Sequence, residues 1–232
     1  MNCIITGASR GLGKAMAERF AAGGYNIALV ARDGKRLSEV QGELEARYPD
    51  RKIQSFAVDL GVKEKVESLG KTLAANVEAD VLINNAGLYL PGSVHDEPAG
   101  TLEKLIAVNL YSAYYLTRQL LPAMIARGTG HIFNICSVAS LQAYPNGGAY
   151  SISKFALAGF SKNLREEMKP YGIKVTAVYP GAAYTDSWAG SGIDPRRIME
   201  AGDIADMVYA ASRLSPQATV EEILLRPQLG DL

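Results

Sequence analysis

The sequence predicts an α/β fold: one domain on a doubly wound parallel sheet of about seven strands, with helices on both faces. Seven short apolar runs, β-branched or leucine-rich, mostly lack the in/out alternation of a half-exposed strand, as strands covered on both sides do. Six stretches of helical periodicity lie between them, so strand and helix alternate in the manner of βαβ units. No low-complexity linker and no fixed-period repeat divides the 232 residues. That length is one that α/β folds commonly reach as a single domain, so one domain over 1–232 is expected.

The elements follow in order. The first strand runs from Asn2 to Thr6 and the first helix from Gly11 to Ala22. Gly23 and Gly24 end that helix, because glycine accepts the left-handed conformation past a C-terminus. Asn26 to Ala31 is the second strand. Asp33, just beyond it, is placed to cap the helix Lys35 to Tyr48, whose Leu37, Val40 and Leu44 share a face. Ile53 to Val58 precedes the helix Lys63 to Val77, and Asp80 to Ile83 precedes Thr101 to Arg127. Pro122 should kink this last helix rather than end it, since the apolar stripe continues through Met124 and Ile125. His131 to Ser137 is the fifth strand, and Pro170 stops the helix Tyr150 to Lys169. Lys174 to Tyr179, the helix Asp203 to Leu214, and Val220 to Leu225 before Pro227 complete the set.

Composition excludes several classes. Lys plus Arg and Asp plus Glu both number 24, so no basic excess exists to grip a nucleic-acid backbone. Cys3 and Cys136 lie in separate apolar runs, read as small buried hydrophobes, and fit a reducing compartment. No apolar stretch approaches the roughly 18 residues of a membrane-spanning helix. Met1 and Asn2 lead straight into an apolar run, leaving no room for a signal peptide. A cytoplasmic protein without nucleic-acid or membrane partners is expected.

Chemistry starts at Thr6-Gly7-Ala8-Ser9-Arg10-Gly11-Leu12-Gly13, between the first strand and first helix. Glycines there permit a tight turn and close backbone approach to a pyrophosphate, while the helix N-terminus offers free N–H groups and positive dipole. The spacing is G-xxx-G-x-G rather than G-x-G-xx-G. A bare βα turn is the alternative, but this place in a doubly wound pattern favours nucleotide binding. At the end of the second strand Ala31 offers no carboxylate for a ribose 2′-OH. Arg32, helped by Arg10, suits a 2′-phosphate, so NADP(H) is preferred, with NAD(H) the alternative because Asp33 is near.

Four further features fall at C-terminal strand ends: Asn84-Asn85-Ala86-Gly87, Ser137, Tyr150-Ser151-Ile152-Ser153-Lys154, and Pro180-Gly181. Tyr150 and Lys154 stand at i and i+4, on one helix face. An ammonium beside a phenol favours phenolate, which predicts a Tyr150 pKa lowered toward working pH and a usable acid/base.

Together with Asn109 and the thirteen-residue step from Ser137 to Tyr150, these motifs resemble the short-chain dehydrogenase/reductase family. Order and spacing are intact from Thr6 through Gly181. The resemblance implies a Rossmann-like catalytic domain that moves a hydride between nicotinamide C4 and a carbonyl or secondary alcohol. It implies a tetrad of Asn109, Ser137, Tyr150 and Lys154. Tyr150 would protonate the developing alkoxide and Ser137 would hydrogen-bond the same oxygen. Lys154 would bind the nicotinamide ribose, and Asn109 would hold a water linking Lys154 to solvent. Implied cofactor contacts are Gly7, Ser9, Arg10, Gly11, Leu12 and Gly13 on the phosphates, and Arg32, Asp59, Leu60, Asn85, Ala86 and Gly87 on the adenosine side. Pro180, Gly181, Ala183 and Thr185 fall on the nicotinamide side. The family usually carries Val or Ile where Ala183 stands, leaving less side chain to pack there.

Substrate residues are sought in the loops above the strand ends. Tyr144, Tyr184 and Trp188 are the aromatic candidates, with a small lid around 182–201. A 3-oxoacyl thioester reductase or a hydroxy amino acid dehydrogenase are the specific options; Gly130-His131-Ile132 and Tyr171-Gly172-Ile173 lack the basic residues that acyl-carrier-protein reductases of the family tend to show. A non-catalytic NAD(P)-binding regulator is the rival reading. His131, at the far end of its strand, is expected to be structural, and His95 lies in a loop where it could touch substrate. With two histidines and no cysteine pair in ligand spacing, no metal is expected. The family commonly forms dimers or tetramers, and the patch Tyr111, Tyr114 and Tyr115 suits either that interface or internal packing.

Overall fold

A computed structural model describes residues 1–185 and 192–231. All seven apolar runs form strands: β1 (Asn2–Thr6), β2 (Asn26–Ala31), β3 (Ile53–Ala57), β4 (Val81–Asn84), β5 (Gly130–Ile135), β6 (Ile173–Pro180) and, last in the chain, β9 (Glu222–Leu225). They pair in parallel in the order β3-β2-β1-β4-β5-β6-β9. Because β1 and β4 are neighbours, the chain winds outward from them in both directions. The crevice above their C-terminal ends is the switch point at which open α/β sheets bind ligands.

The helices are α1 (Gly11–Ala22), α2 (Gly34–Arg47), α3 (Lys63–Asn76), α4 (Thr101–Ile106), α5 (Ser112–Arg127), α6 (Gly148–Met168) and α7 (Ala201–Ser212). Cys3, Ile5, Leu29, Ile83 and Phe133 pack with Met16 and Phe20 of α1, Leu37 and Leu44 of α2, and Val208 of α7. The alternate positions Ile4, Val30, Leu82 and Ile132 pack on the other face with Leu73 of α3, Leu116 and Leu120 of α5, and Leu164 of α6. Both faces are covered, which is why the strands read as continuous apolar runs.

Local signals act as their chemistry requires. The Asp33 Oδ1 accepts from the backbone N–H of Arg36 at 3.1 Å and caps α2. Gly24, past the end of α1, has φ +94°, a conformation that excludes most side chains. Among the described residues no helix is long and apolar enough to cross a membrane.

Two features depart from the sequence reading. The stretch Thr101 to Arg127 is not one regular helix. A π turn, Ala107–Tyr111, separates α4 from α5, and α5 continues through Pro122 to Arg127. Periodicity does not register one widened turn, which moves side chains by about one position. In the lid, β7 (Ala183–Tyr184) pairs in parallel with β8 (Met199–Glu200). Strands of two residues have no pattern to detect. Arg197 ties this region to the C-terminal segment by donating to the carbonyls of Leu229, Gly230 and Asp231. Tyr111 and Tyr114 are exposed on one side, while Tyr111 packs on Tyr115 and Tyr114 packs edge-on against Tyr115 and Phe160.

Candidate active site

The glycine turn is stapled to the turn after β4. The Thr6 Oγ1 accepts from the backbone N–H groups of Asn85 and Ala86, both at 2.9 Å. The Asn85 Nδ2 donates back to the carbonyls of Thr6, at 2.9 Å, and Gly7, at 3.3 Å. Gly7 and Gly11 hold φ of +67° and +55°. A Cβ on Gly13 would stand 2.2 Å from the Gly7 carbonyl oxygen, so only glycine lets α1 start this close to the turn. One on Gly11 would stand 3.2 Å from Thr185, which places the segment after β6 across the same crevice. Arg10, exposed at the N-cap of α1, forms no side-chain cap, and Ser9 and Leu12 are partly buried beside it. The first-turn N–H groups thus remain open toward an anion.

At the end of β2, Ala31 is buried and Arg32 exposed. Asp33 is turned back onto α2, with its Oδ2 3.6 Å from the Arg36 Nε. At the end of β3, the Asp59 Oδ1 accepts from the Gly61 N–H at 3.0 Å, and Leu60 is buried. Pro180 closes β6, and the Gly181 N–H donates to the Leu225 carbonyl at 2.8 Å. Ala183 is buried in β7.

The four tetrad candidates converge above β4 and β5. Asn109 lies within the π turn, 1% exposed. Its Oδ1 accepts from the Leu88 N–H at 2.7 Å, and its Nδ2 donates to the Leu88 carbonyl at 3.0 Å and to the Ser153 Oγ at 2.9 Å. Lys154 is buried, and its Nζ donates to the Ile135 carbonyl at 2.9 Å. A Cβ on Gly87 would lie 3.6 Å from both the Asn109 Oδ1 and the Lys154 Nζ, so the Asn-Asn-Ala-Gly turn meets both side chains. Ser137 opens a 3-10 turn, Val138–Ser140, by accepting the Ala139 N–H at 3.1 Å.

One expectation is corrected. Burial pushes the Tyr150 phenol above its ordinary value; a hydrogen bond with Ser137 pulls it down and Cys136 raises it further. Burial likewise pushes Lys154 below the usual ammonium range, against an opposing influence of Cys136. The Lys154 Nζ sits 6.0 Å from the centre of the Tyr150 ring and is bonded to the Ile135 carbonyl. Removing both groups from water penalises both charges. The i, i+4 spacing reveals proximity, not burial.

Two residues had no assigned role in the sequence reading. Ser153, fully buried, receives the Asn109 amide and donates to the Tyr150 carbonyl at 2.7 Å. Tyr89 sets its ring edge-to-face on Tyr150, centroids 4.8 Å apart. Ser153 lies inside the quoted Tyr-to-Lys motif, but nothing in a sequence pairs it with Asn109. Tyr89 follows Gly87 by two positions, an adjacency that could have flagged it.

Tyr144 is exposed at 39%, and burial, then Tyr89 and Tyr150, raise its phenol. Tyr184 borders a cleft of about 870 Å³ between the lid and the C-terminal segment, whose lining includes none of the tetrad candidates. Trp188 lies outside the described residues. His131 is buried at the start of β5, with its Nε2 2.8 Å from the Thr176 Oγ1 and its ring stacked on Phe133. Burial, then Lys174, lowers it to about 3. His95 is exposed, 3.7 Å from Asp96. Among the described residues no group of three His, Cys, Asp or Glu side chains is placed to hold a metal.

Known proteins resemble this chain along nearly its whole length. The family profile described as short chain dehydrogenase matches residues 2–194. An uncharacterized oxidoreductase of Staphylococcus saprophyticus is 31% identical over 228 residues, covering 97% of this chain and 96% of the relative. A metagenomic short-chain oxidoreductase solved in complex with NADP is 35% identical, with a TM-score of 0.84 over 98% of this chain and 97% of its own. The closed form of a serine dehydrogenase complexed with NADP+ is 27% identical, with a TM-score of 0.90 over 100% of this chain and 97% of its own.

Proposed function

The chain belongs to the short chain dehydrogenase family and is an NAD(P)-dependent oxidoreductase, and from that premise we propose that it interconverts a carbonyl and a secondary alcohol using NADP(H), with Tyr150 as general acid/base. The observation that carries the reading is the convergence of Asn109, Lys154 and the turn after β4 at Gly87, beside Tyr150 and Ser137.

The residues present fit a dinucleotide. A Cβ would fill the cradle at Gly13, and the uncapped start of α1 faces it. Gly7 through Gly13 would hold the phosphates, Asp59, Leu60 and Asn85 to Gly87 the adenosine, and Pro180, Gly181, Ala183 and Thr185 the nicotinamide side. Arg32 and Arg10 would take a 2′-phosphate, and NADP-bound neighbours support that preference. When bound, the cofactor supplies or accepts the hydride.

The chain's own groups handle the oxygen. Tyr150, kept protonated by burial, donates its proton to the carbonyl oxygen during reduction and takes it back during oxidation. Ser137 hydrogen-bonds that oxygen and shares its developing charge. Lys154, anchored on Ile135, would hold the cofactor's ribose through its side-chain nitrogen, and Asn109 holds the backbone of Leu88 at the rim.

Exposed Tyr111, Tyr114, Ile152 and Phe155 on the π turn, α5 and α6 support a homo-oligomer. Unpaired, buried Cys3 and Cys136 support a cytoplasmic setting. Tyr150→Phe should abolish NADPH-dependent carbonyl reduction while NADP(H) binding by calorimetry persists. Preserved turnover would overturn the role of Tyr150.

A further inference from the structure

The described loops beside Tyr150 present aromatic rings, and neither carries a lysine or arginine. Tyr89 lies edge-on against the Tyr150 ring, and Tyr144 neighbours both; Tyr89 and Tyr144 are 53% and 39% exposed. Residues 88–99 and 138–149, the loops that carry them, contain no Lys or Arg. They do contain Asp96 and Glu97, with the exposed His95 set 3.7 Å from the Asp96 carboxylate. The Glu97 Oε2 accepts the Ala149 N–H at 3.1 Å, one residue before Tyr150, which puts a carboxylate at the start of α6.

The lid adds little positive charge. Within 182–201 the only cationic side chains are Arg196 and Arg197. Arg196 grips Asp194 through its Nε and Nη2, the latter at 2.8 Å. Arg197 is committed to three C-terminal carbonyls. A substrate carboxylate brought to Tyr150 would lose water, meet acidic neighbours and find no fork to receive it. That is costly for any buried charge. A neutral ring set against tyrosine faces and edges gains by both area and ring geometry.

Resting on the oxidoreductase reading above, we propose that this site selects uncharged carbonyl compounds with an aromatic or alicyclic body seated against Tyr89 and Tyr144, and discriminates against substrates with a carboxylate beside the reacting carbon. Reduction adds the hydride to the carbonyl carbon as NADPH becomes NADP+. The C=O π pair moves to oxygen, and the Tyr150 proton completes the alcohol. The site thereby differs in selectivity from its serine dehydrogenase neighbour, despite the shared fold.

A pair alike in shape but differing in charge tests this: methyl phenylglyoxylate and phenylglyoxylate, each reduced with NADPH and followed by absorbance. The ester should exceed the acid in kcat/KM by about tenfold or more, the ratio one unpaired charge commands. Tyr89→Ala should raise KM for the ester several-fold with little change for the acid, and Tyr89→Phe, which keeps the ring, should restore it. Tyr89→Arg should narrow the ester-to-acid ratio. Equal turnover of ester and acid, turnover of neither, L-serine oxidation with NADP+ outpacing ester reduction, or an unchanged ester KM in Tyr89→Ala would each overturn the proposal. Tyr150→Phe separates the two readings, since turnover surviving there rejects the role of Tyr150 while leaving the ester-to-acid ratio to judge selectivity.

Discussion

The Asn109 Nδ2 donates to the Ser153 Oγ at 2.9 Å, and that hydroxyl donates onward to the Tyr150 carbonyl at 2.7 Å. Asn109 therefore reaches the residue that bears the acid/base through one buried side chain. Ser153→Ala would leave the amide one acceptor short in a site with no room for bulk water. The cost should be about 1–2 kcal/mol of stability, the usual penalty for an orphaned buried donor. Turnover should also fall, with kcat affected more than KM and its pH profile displaced, because the hydrogen-bonded link from Asn109 to the Tyr150 backbone is lost while the amide stays fixed on Leu88. A kcat–pH curve superimposable on the parent's would show Ser153 to be mere filling.

Gly13 and Gly42 make a paired test of what glycine does. A Cβ at Gly13 would stand 2.2 Å from the Gly7 oxygen and 2.6 Å from the Asn85 Nδ2, so Gly13→Ala must push α1 away from the turn. NADP(H) affinity should drop by at least about tenfold, read by calorimetry, since misplacing phosphate-facing N–H groups removes charge-assisted bonds. Gly42, within α2, has nothing within 4 Å of the corresponding position. Gly42→Ala should stabilise the protein by up to about 1 kcal/mol through helix propensity and leave binding untouched. Unimpaired binding in Gly13→Ala would remove the turn from the cofactor site.

His131 predicts an acid sensitivity. Its folded pKa is depressed to about 3 against an ordinary 6.5, chiefly by burial, with Lys174 adding to it. The unfolded chain therefore binds one more proton than the folded one between those values. Stability is full above pH 6.5 and declines as pH falls toward 3, by at most about 1.4 kcal/mol per pH unit from this group. Urea midpoints measured at pH 7 and pH 5 should separate accordingly. His131→Gln, which retains a polar partner for Thr176 but does not titrate, should shrink the gap.

Much of this could be read from residues alone, and the exceptions share a cause. β1, β2 and α1 match the sequence boundaries because apolar runs and glycine punctuation are local. Asp33 capped α2 for the same reason. The π turn was invisible because it places Asn109 through a contact with Leu88, 21 residues away. Tyr150 and Lys154 were visible as a pair by spacing, whereas their pKa directions depend on how much of the fold surrounds them. Tyr89 acquires meaning only from the ring it touches. Motifs record which chemistry is available; burial and long-range partners decide how it is tuned.

Arg32 tests the cofactor preference. It is exposed at the end of β2, while the nearby carboxylate of Asp33 is turned back to cap α2 and face Arg36. Arg32→Ala should therefore weaken NADP(H) by about tenfold, the worth of a charge-assisted phosphate contact, and leave NAD(H) nearly unchanged. Because the site faces water, the parent's NADP(H) advantage should also shrink as salt is raised from 0.05 to about 0.5 M, where the screening length falls to a few ångströms. Ala31→Asp, in combination, would place a carboxylate where a ribose 2′-hydroxyl is received and repel a 2′-phosphate, turning the preference toward NAD(H). If the single substitution lowered both affinities equally, Arg32 would be acting on the fold of the β2–α2 turn, and the preference would have to reside in Arg10 at the N-cap of α1.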